Sequence, residues 1–139
     1  MAGRDNHRIT QMRPFLAAAA VVLATGSTVH AQQVLSAGGI FGGPAQVRAV
    51  CYFHNSGTAT LGLSGLQITN QAGTALPLAV NECGAGTLLP GRTCGIAANV
   101  PNNLVHNCRA LVSPGKGSAR GILEVRDSAQ RTLANVELR

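Results

Sequence analysis

Two cysteines and two histidines stand in mirrored pairs along the chain: Cys51 with His54, and His106 with Cys108. The spacings are C-x2-H and H-x-C. Two thiolates with two imidazoles form a donor set for Zn²⁺ or copper, so a small metal-binding protein is one expectation for these residues. Strand geometry works against it. Cys51 and His54 have opposite parity, and in an extended strand they face opposite ways unless a bulge intervenes. The competing expectation is a Cys51–Cys108 disulfide with incidental histidines. Cys83 and Cys94 then close the second bridge, around a loop carrying Leu88, Leu89 and a Pro90-Gly91 turn.

The remaining chemistry is sparse. A hydrolytic triad needs a nucleophile, a base and an orienting acid. After residue 31 the chain offers His54, His106 and one aspartate, Asp127, with no G-x-S-x-G nucleophile elbow. Asp127 reads as a turn former. Glu82, Glu124 and Glu137 are the remaining carboxylates, and their pairing is not visible in the sequence. No C-x-x-C redox motif is present, and no glycine stretch is followed by Lys-Ser or Lys-Thr at a helix start, as a phosphate loop requires. Aromatics are 3% of the chain and Trp is absent, which leaves no row of stacking platforms for nucleic acid or sugar. No catalytic residue, cofactor or metal ligand is therefore assigned.

The elements that must position these residues follow from the rest of the chain. The 139 residues suffice for one domain. Charged residues are 12%, about half the usual share of a soluble protein, and the 17 glycines favour turns and short strands. Residues 1–31 read as a secretory signal. Arg4, Arg8 and Arg13 precede an apolar run from Phe15 to Ala24, about ten residues, too short for a bilayer that needs roughly 20. Gly26-Ser27 breaks that run, and cleavage is expected between Ala31 and Gln32. Met12 is an alternative start. Removing 31 of the 139 residues leaves 108, with eight cations, four anions and all 4 cysteines. An even cysteine count behind a signal indicates disulfides in an oxidising compartment, periplasmic or outside the cell. No later apolar run is long enough to cross a membrane.

Residues 32–45 are Gly-rich and nearly uncharged, and are expected to be a flexible leading segment with a short edge strand near Val34-Leu35. Residues 46–139 alternate. Val47, Ala49, Cys51 and Phe53 share one face, against Arg48, Val50, Tyr52 and His54. Leu61 and Leu63 change phase relative to Leu66 and Ile68, and a bulge at Gly65 restores one face for all four. Leu76, Leu78 and Val80 alternate beside Pro77, which marks a sheet edge. Cys94, Ile96, Ala98 and Val100 share a face. So do Cys108, Ala110 and Val112; then Ala119, Gly121, Leu123 and Val125; and finally Ala134, Val136 and Leu138. About seven short strands with turn residues between them predict an all-β, immunoglobulin-like β-sandwich, with a small barrel as the competitor.

From residue 46 onward the pattern resembles the ASH/hydin-type immunoglobulin-like domains. The residues that carry the likeness are Asn55-Ser56-Gly57-Thr58, Leu61, Leu66, Ile68, Cys83, Leu89-Pro90-Gly91-Arg92-Thr93-Cys94, Ile96 and Leu123. Asn99-Val100-Pro101 departs from the family's aromatic-x-Pro, and Cys51 and Cys108 are additions. The resemblance implies a sandwich that serves as a structural or interaction module. The expected partner is an envelope or extracellular protein, not nucleic acid, met at the Pro77 edge or along residues 32–44.

Overall fold

The computed structural model describes residues 31–139 apart from Asn102. Expectations for the leader, residues 1–30, lie outside the described residues. From Gln33 onward the alternation of apolar and polar side chains is realised as nine strands. They are β1 Gln33–Ser36, β2 Arg48–Asn55, β3 Leu61–Asn70, β4 Leu78–Asn81, β5 Thr87–Leu88, β6 Thr93–Asn99, β7 His106–Ser113, β8 Ala119–Arg126 and β9 Thr132–Leu138. Among the described residues a single 3-10 turn, Lys116–Ser118, interrupts them.

The strands form two antiparallel sheets, ordered β1-β7-β3-β5 and β4-β6-β2-β8-β9. Seven strands are those expected, β1 is the short edge strand expected near Val34-Leu35, and the two-residue β5 brings the count to nine. The layout is an immunoglobulin-like β-sandwich, and its middle repeats a known arrangement. β2 pairs β6 in one sheet and β3 pairs β7 in the other, with a disulfide joining β2 to β7 across the core. The outer places differ: here β8 flanks β2 and β1 flanks β7.

The core is aliphatic. Phe53, Leu61, Ile68, Ile96, Leu123, Val112 and Val125 are fully buried between the sheets. The phase change in β3 is a bulge between Ser64 and Gln67, and Gly65 there has φ 56°, a left-handed conformation that glycine adopts without a Cβ clash. Leu61, Leu63 and Ile68 are buried as a result, and Leu66 packs against them. Pro77 immediately precedes β4, which is an edge strand. Pro90-Gly91 forms a turn closed by the Arg92 amide donating to the Leu89 carbonyl, with Gly91 at φ 69°.

One expectation is corrected. The stretch 32–45 is not a loose leader. β1 pairs along its length with β7, the Ser36 and Arg139 main chains exchange hydrogen bonds, and Leu35, Ala37 and Ile40 lie in the core. Its glycines signal flexibility in the sequence. In the fold they allow close approach: a Cβ on Gly42 would meet Val125 and Leu133, and one on Gly39 would meet Val105. The chain needs that thinness to cross from one sheet to the other.

Candidate functional site

Cys51 bonds Cys108, with Cα atoms 6.3 Å apart, and Cys83 bonds Cys94 at 5.2 Å. The first bridge joins the centres of the two sheets. The second ties the β4–β5 connection to β6. Both thiols of the candidate set are in one disulfide, and the histidines are at opposite ends. His54 faces outward near the end of β2 and shares a hydrogen bond with the Thr93 hydroxyl, Nδ1 to Oγ1 3.0 Å. His106 opens β7, bridged to Ile40, and is fully buried. Among the described residues, no cluster of three or more His, Cys, Asp or Glu could hold a metal ion.

Burial pushes the His106 imidazole below its ordinary 6.5, outweighing the carbonyls of Pro101 and Thr69 that favour its charged form. Neither ring nitrogen completes a hydrogen bond. The neighbouring stretches 38–46, 66–76 and 99–105 contain no charged residue at all. Gln46, also buried, fastens this end by donating to the Pro101 and Leu104 carbonyls and accepting from the Gly42 amide. Asn55 does the same at the other end, donating to the carbonyls of Ala59 and Leu88. These are structural polar groups. Asp127 is likewise a turn residue: it accepts from the Arg131 amide and from Arg131 Nε at 2.9 and 2.7 Å. The amide bond is the main cause that lowers its pKa, with the guanidinium adding to it.

Chemistry converges instead on the outer face of the five-stranded sheet. Strand alternation turns Arg48, Val50, Tyr52 and His54 of β2 outward, the complement of the buried Ala49, Cys51 and Phe53. Register sets the rows. Tyr52 lies opposite Gly95 and Ile122, His54 opposite Thr93 and Arg120, and Arg48 opposite Asn99 and Arg126. Gly95 is needed here. A Cβ on it would approach the Tyr52 ring to 3.2 Å and Glu82 Oε2 to 3.5 Å, so the ring packs close against the glycine.

Arg126 orders the centre. Its Nε donates to Glu124 Oε2 at 2.9 Å, its Nη2 donates to the Tyr52 hydroxyl at 3.2 Å, and its Cζ lies 5.7 Å from the Tyr52 ring centroid. The hydrogen bonds that the guanidinium donates to Glu124 raise its pKa above the ordinary value, against the opposing effect of burial. An open cavity of about 520 Å³ beside this network is lined by Tyr52, His54, Thr93, Arg120, Ile122 and Glu137. A smaller one of about 210 Å³ lies on its other side, with Arg48, Val50, Val80, Glu82, Arg126 and Gln130 in its walls.

Glu82, Glu124 and Glu137 thus share one face, although Glu124 is committed to Arg126. The sequence showed that Arg48, Tyr52, Glu124 and Arg126 point outward. It did not show that β2 and β8 are neighbours, which turns two separate outward sets into one cluster. None of the family models, curated proteins or solved structures compared with the chain matches it. Among the described residues, no helix is long and apolar enough to cross a membrane. The two disulfides, with no free cysteine, suit an oxidising, extracytoplasmic environment.

Proposed function

We propose that the protein is an exported, non-catalytic β-sandwich module, working in the periplasm or outside the cell, that binds an envelope or extracellular protein through the outer face of its five-stranded sheet. The observation that carries this reading is the Tyr52–Arg126–Glu124 network at the centre of that face. Tyr and Arg are the residue types most enriched where protein interfaces hold their binding energy. A guanidinium already fixed by a carboxylate loses little rotamer freedom when a partner arrives. A Tyr ring held over a glycine is pre-ordered in the same way. Several of the residues that catalysis would draw on are engaged elsewhere: the cysteines in bridges, Asp127 in a turn, His106 in the interior.

The packed β1 segment replaces the earlier reason for placing the partner on residues 32–44. The Pro77 edge is also a poor docking strand, because β4 is four residues long and its register slips between Leu78 and Val80. The outer face keeps the interaction role without either. The test is capture from an envelope extract by immobilised protein, comparing Tyr52→Ala and Arg126→Gln with the opposite-face variants Gln67→Ala and Arg109→Gln. Loss with the first pair and retention with the second supports the reading. Equal capture by all four contradicts it.

A further inference from the structure

One end of the sandwich is assembled around a buried titratable group. His106 is fully buried. It is the first residue of β7 and pairs with Asn70 of β3. Its main chain exchanges hydrogen bonds with Ile40, 2.9 Å each way. The polar ties of segment 38–46 to the rest of this end are that exchange and the Gln46 amide, which donates to the Pro101 and Leu104 carbonyls.

A buried imidazole takes up a proton at a cost unless an anion faces it. None does here. Segments 38–46, 66–76 and 99–105 carry no charged residue. On β7 the nearest charge is Arg109, exposed and itself cationic. Across the core, Arg48, Glu124 and Arg126 lie on the outer face of the other sheet, and Asp127 is bonded to Arg131 in the β8–β9 turn. Burial and two carbonyls act on the imidazole, with no charged side chain among the causes, and burial prevails. The ring therefore takes its proton more readily once it reaches water. Water is close at hand, because His106 sits at a strand end. Two residues on, Cys108 is bonded to Cys51, which stops a separation there from running into the core.

We propose that this end is an acid-opened latch: protonation of His106 frees segment 38–46 from β7 and from the Pro101 and Leu104 carbonyls, while the disulfide-bonded centre stays closed. The closed form is fully favoured above the ordinary 6.5. Below it, opening gains about tenfold per pH unit, down to the closed form's own lower value. Opening adds Ile40, buried when closed, to the exposed Phe41, so acid enlarges the apolar surface at this end. The latch does not depend on the binding face proposed above.

The test is amide exchange by NMR on the purified protein between pH 7.5 and 5, read as protection factors so that the intrinsic pH dependence of exchange divides out. The proposal expects protection at the Ile40, Gly42 and His106 amides to fall about tenfold per unit below pH 6.5. That protection should be insensitive to low urea, since opening one end exposes little surface. The Gly91 amide, which donates to the Asn55 carbonyl at the other end, should keep its protection. His106→Gln should remove the pH dependence, and His54→Gln should retain it. Constant protection at Ile40, Gly42 and His106 overturns the proposal. So does a fall that Gly91 shares, or that low urea deepens as it does for core Leu123, since either is unfolding of the whole sandwich. The same fall in His106→Gln, or its loss in His54→Gln, also overturns it. The urea and Gly91 comparisons use the native protein and so stand even if His106→Gln folds poorly.

Discussion

The two outer faces of this sandwich are made by the same rule and are chemically unlike. On the four-stranded sheet the outward residues include Ser64, Gln67, Thr69, Thr87, Asn107 and Leu111, with Arg109 as the one charge. On the five-stranded sheet they include Arg48, Arg120, Arg126, Glu124 and Glu137, with Tyr52 at the centre. Solubility alone does not explain the difference, since neutral hydroxyls and amides serve the first face well. Arg48 directly opposite Arg126 brings a stability cost to the charged side, and the binding role we propose is a reason for accepting it there.

The contrast depends on the bridge that holds the faces back to back. Replacing Cys51 and Cys108 together by Ala removes a closure of 57 residues, worth about 4 kcal/mol by chain entropy. Replacing Cys83 and Cys94 removes a closure of 11, worth about 3. The first double variant should show the lower denaturation midpoint. The reverse order would mean that the local loop, not the link between sheets, holds the two faces in place.

Inner and outer positions of one strand give the next effect. Leu123→Ala leaves a hole in the core and should cost about 2–5 kcal/mol. Its neighbour Glu124→Ala should cost about 1–2, more than an isolated surface charge, because Arg126 then stays half-buried without its carboxylate. On the other face Gln67→Ala should change stability by under about 0.5. Urea midpoints for the three variants rank them. A Glu124 variant as silent as Gln67 would remove the claim that the charged face is internally ordered.

A smaller effect is set by pH. His106 is neutral in the fold and has a depressed pKa, so the unfolded chain binds its proton more readily. Its contribution to stability is fully present above the ordinary 6.5 and is lost as pH falls below it toward the folded value. Asp127 has the same sign at lower pH, its stabilising effect fading as pH drops through its own lowered value. Thermal melts from pH 7 to 5 should fall for the native protein and stay flatter for His106→Gln. Parallel curves would show that the buried imidazole does not titrate with unfolding.

How much of this was legible in the sequence varies with the range of the forces involved. The bulge at Gly65, the Pro90-Gly91 turn and the inward set from Ala119 to Val125 follow from local geometry and strand parity, and the sequence displays them. β5 is two residues long and has no period to detect. The sequence offered β1 as a short edge strand, but the packing of the stretch after it hid behind glycines whose use, close passage over Val105 and Val125, exists only in three dimensions. Gln46 and Asn55 look like loop residues until the distant carbonyls they bind are in place. The binding face had the same difficulty. Each strand announced its outward residues, but the pairing of β2 with β8, some seventy residues apart, was needed to bring Tyr52 to Arg126.

Site-specific photocrosslinking in exporting cells tests the central claim most directly. A benzophenone side chain at Ile122 lies beside Tyr52 on the charged face, and one at Leu111 lies on the neutral face. The account predicts a discrete protein crosslink from position 122 that is lost with Tyr52→Ala, and none from position 111. A crosslink from position 111 with none from position 122 would contradict it.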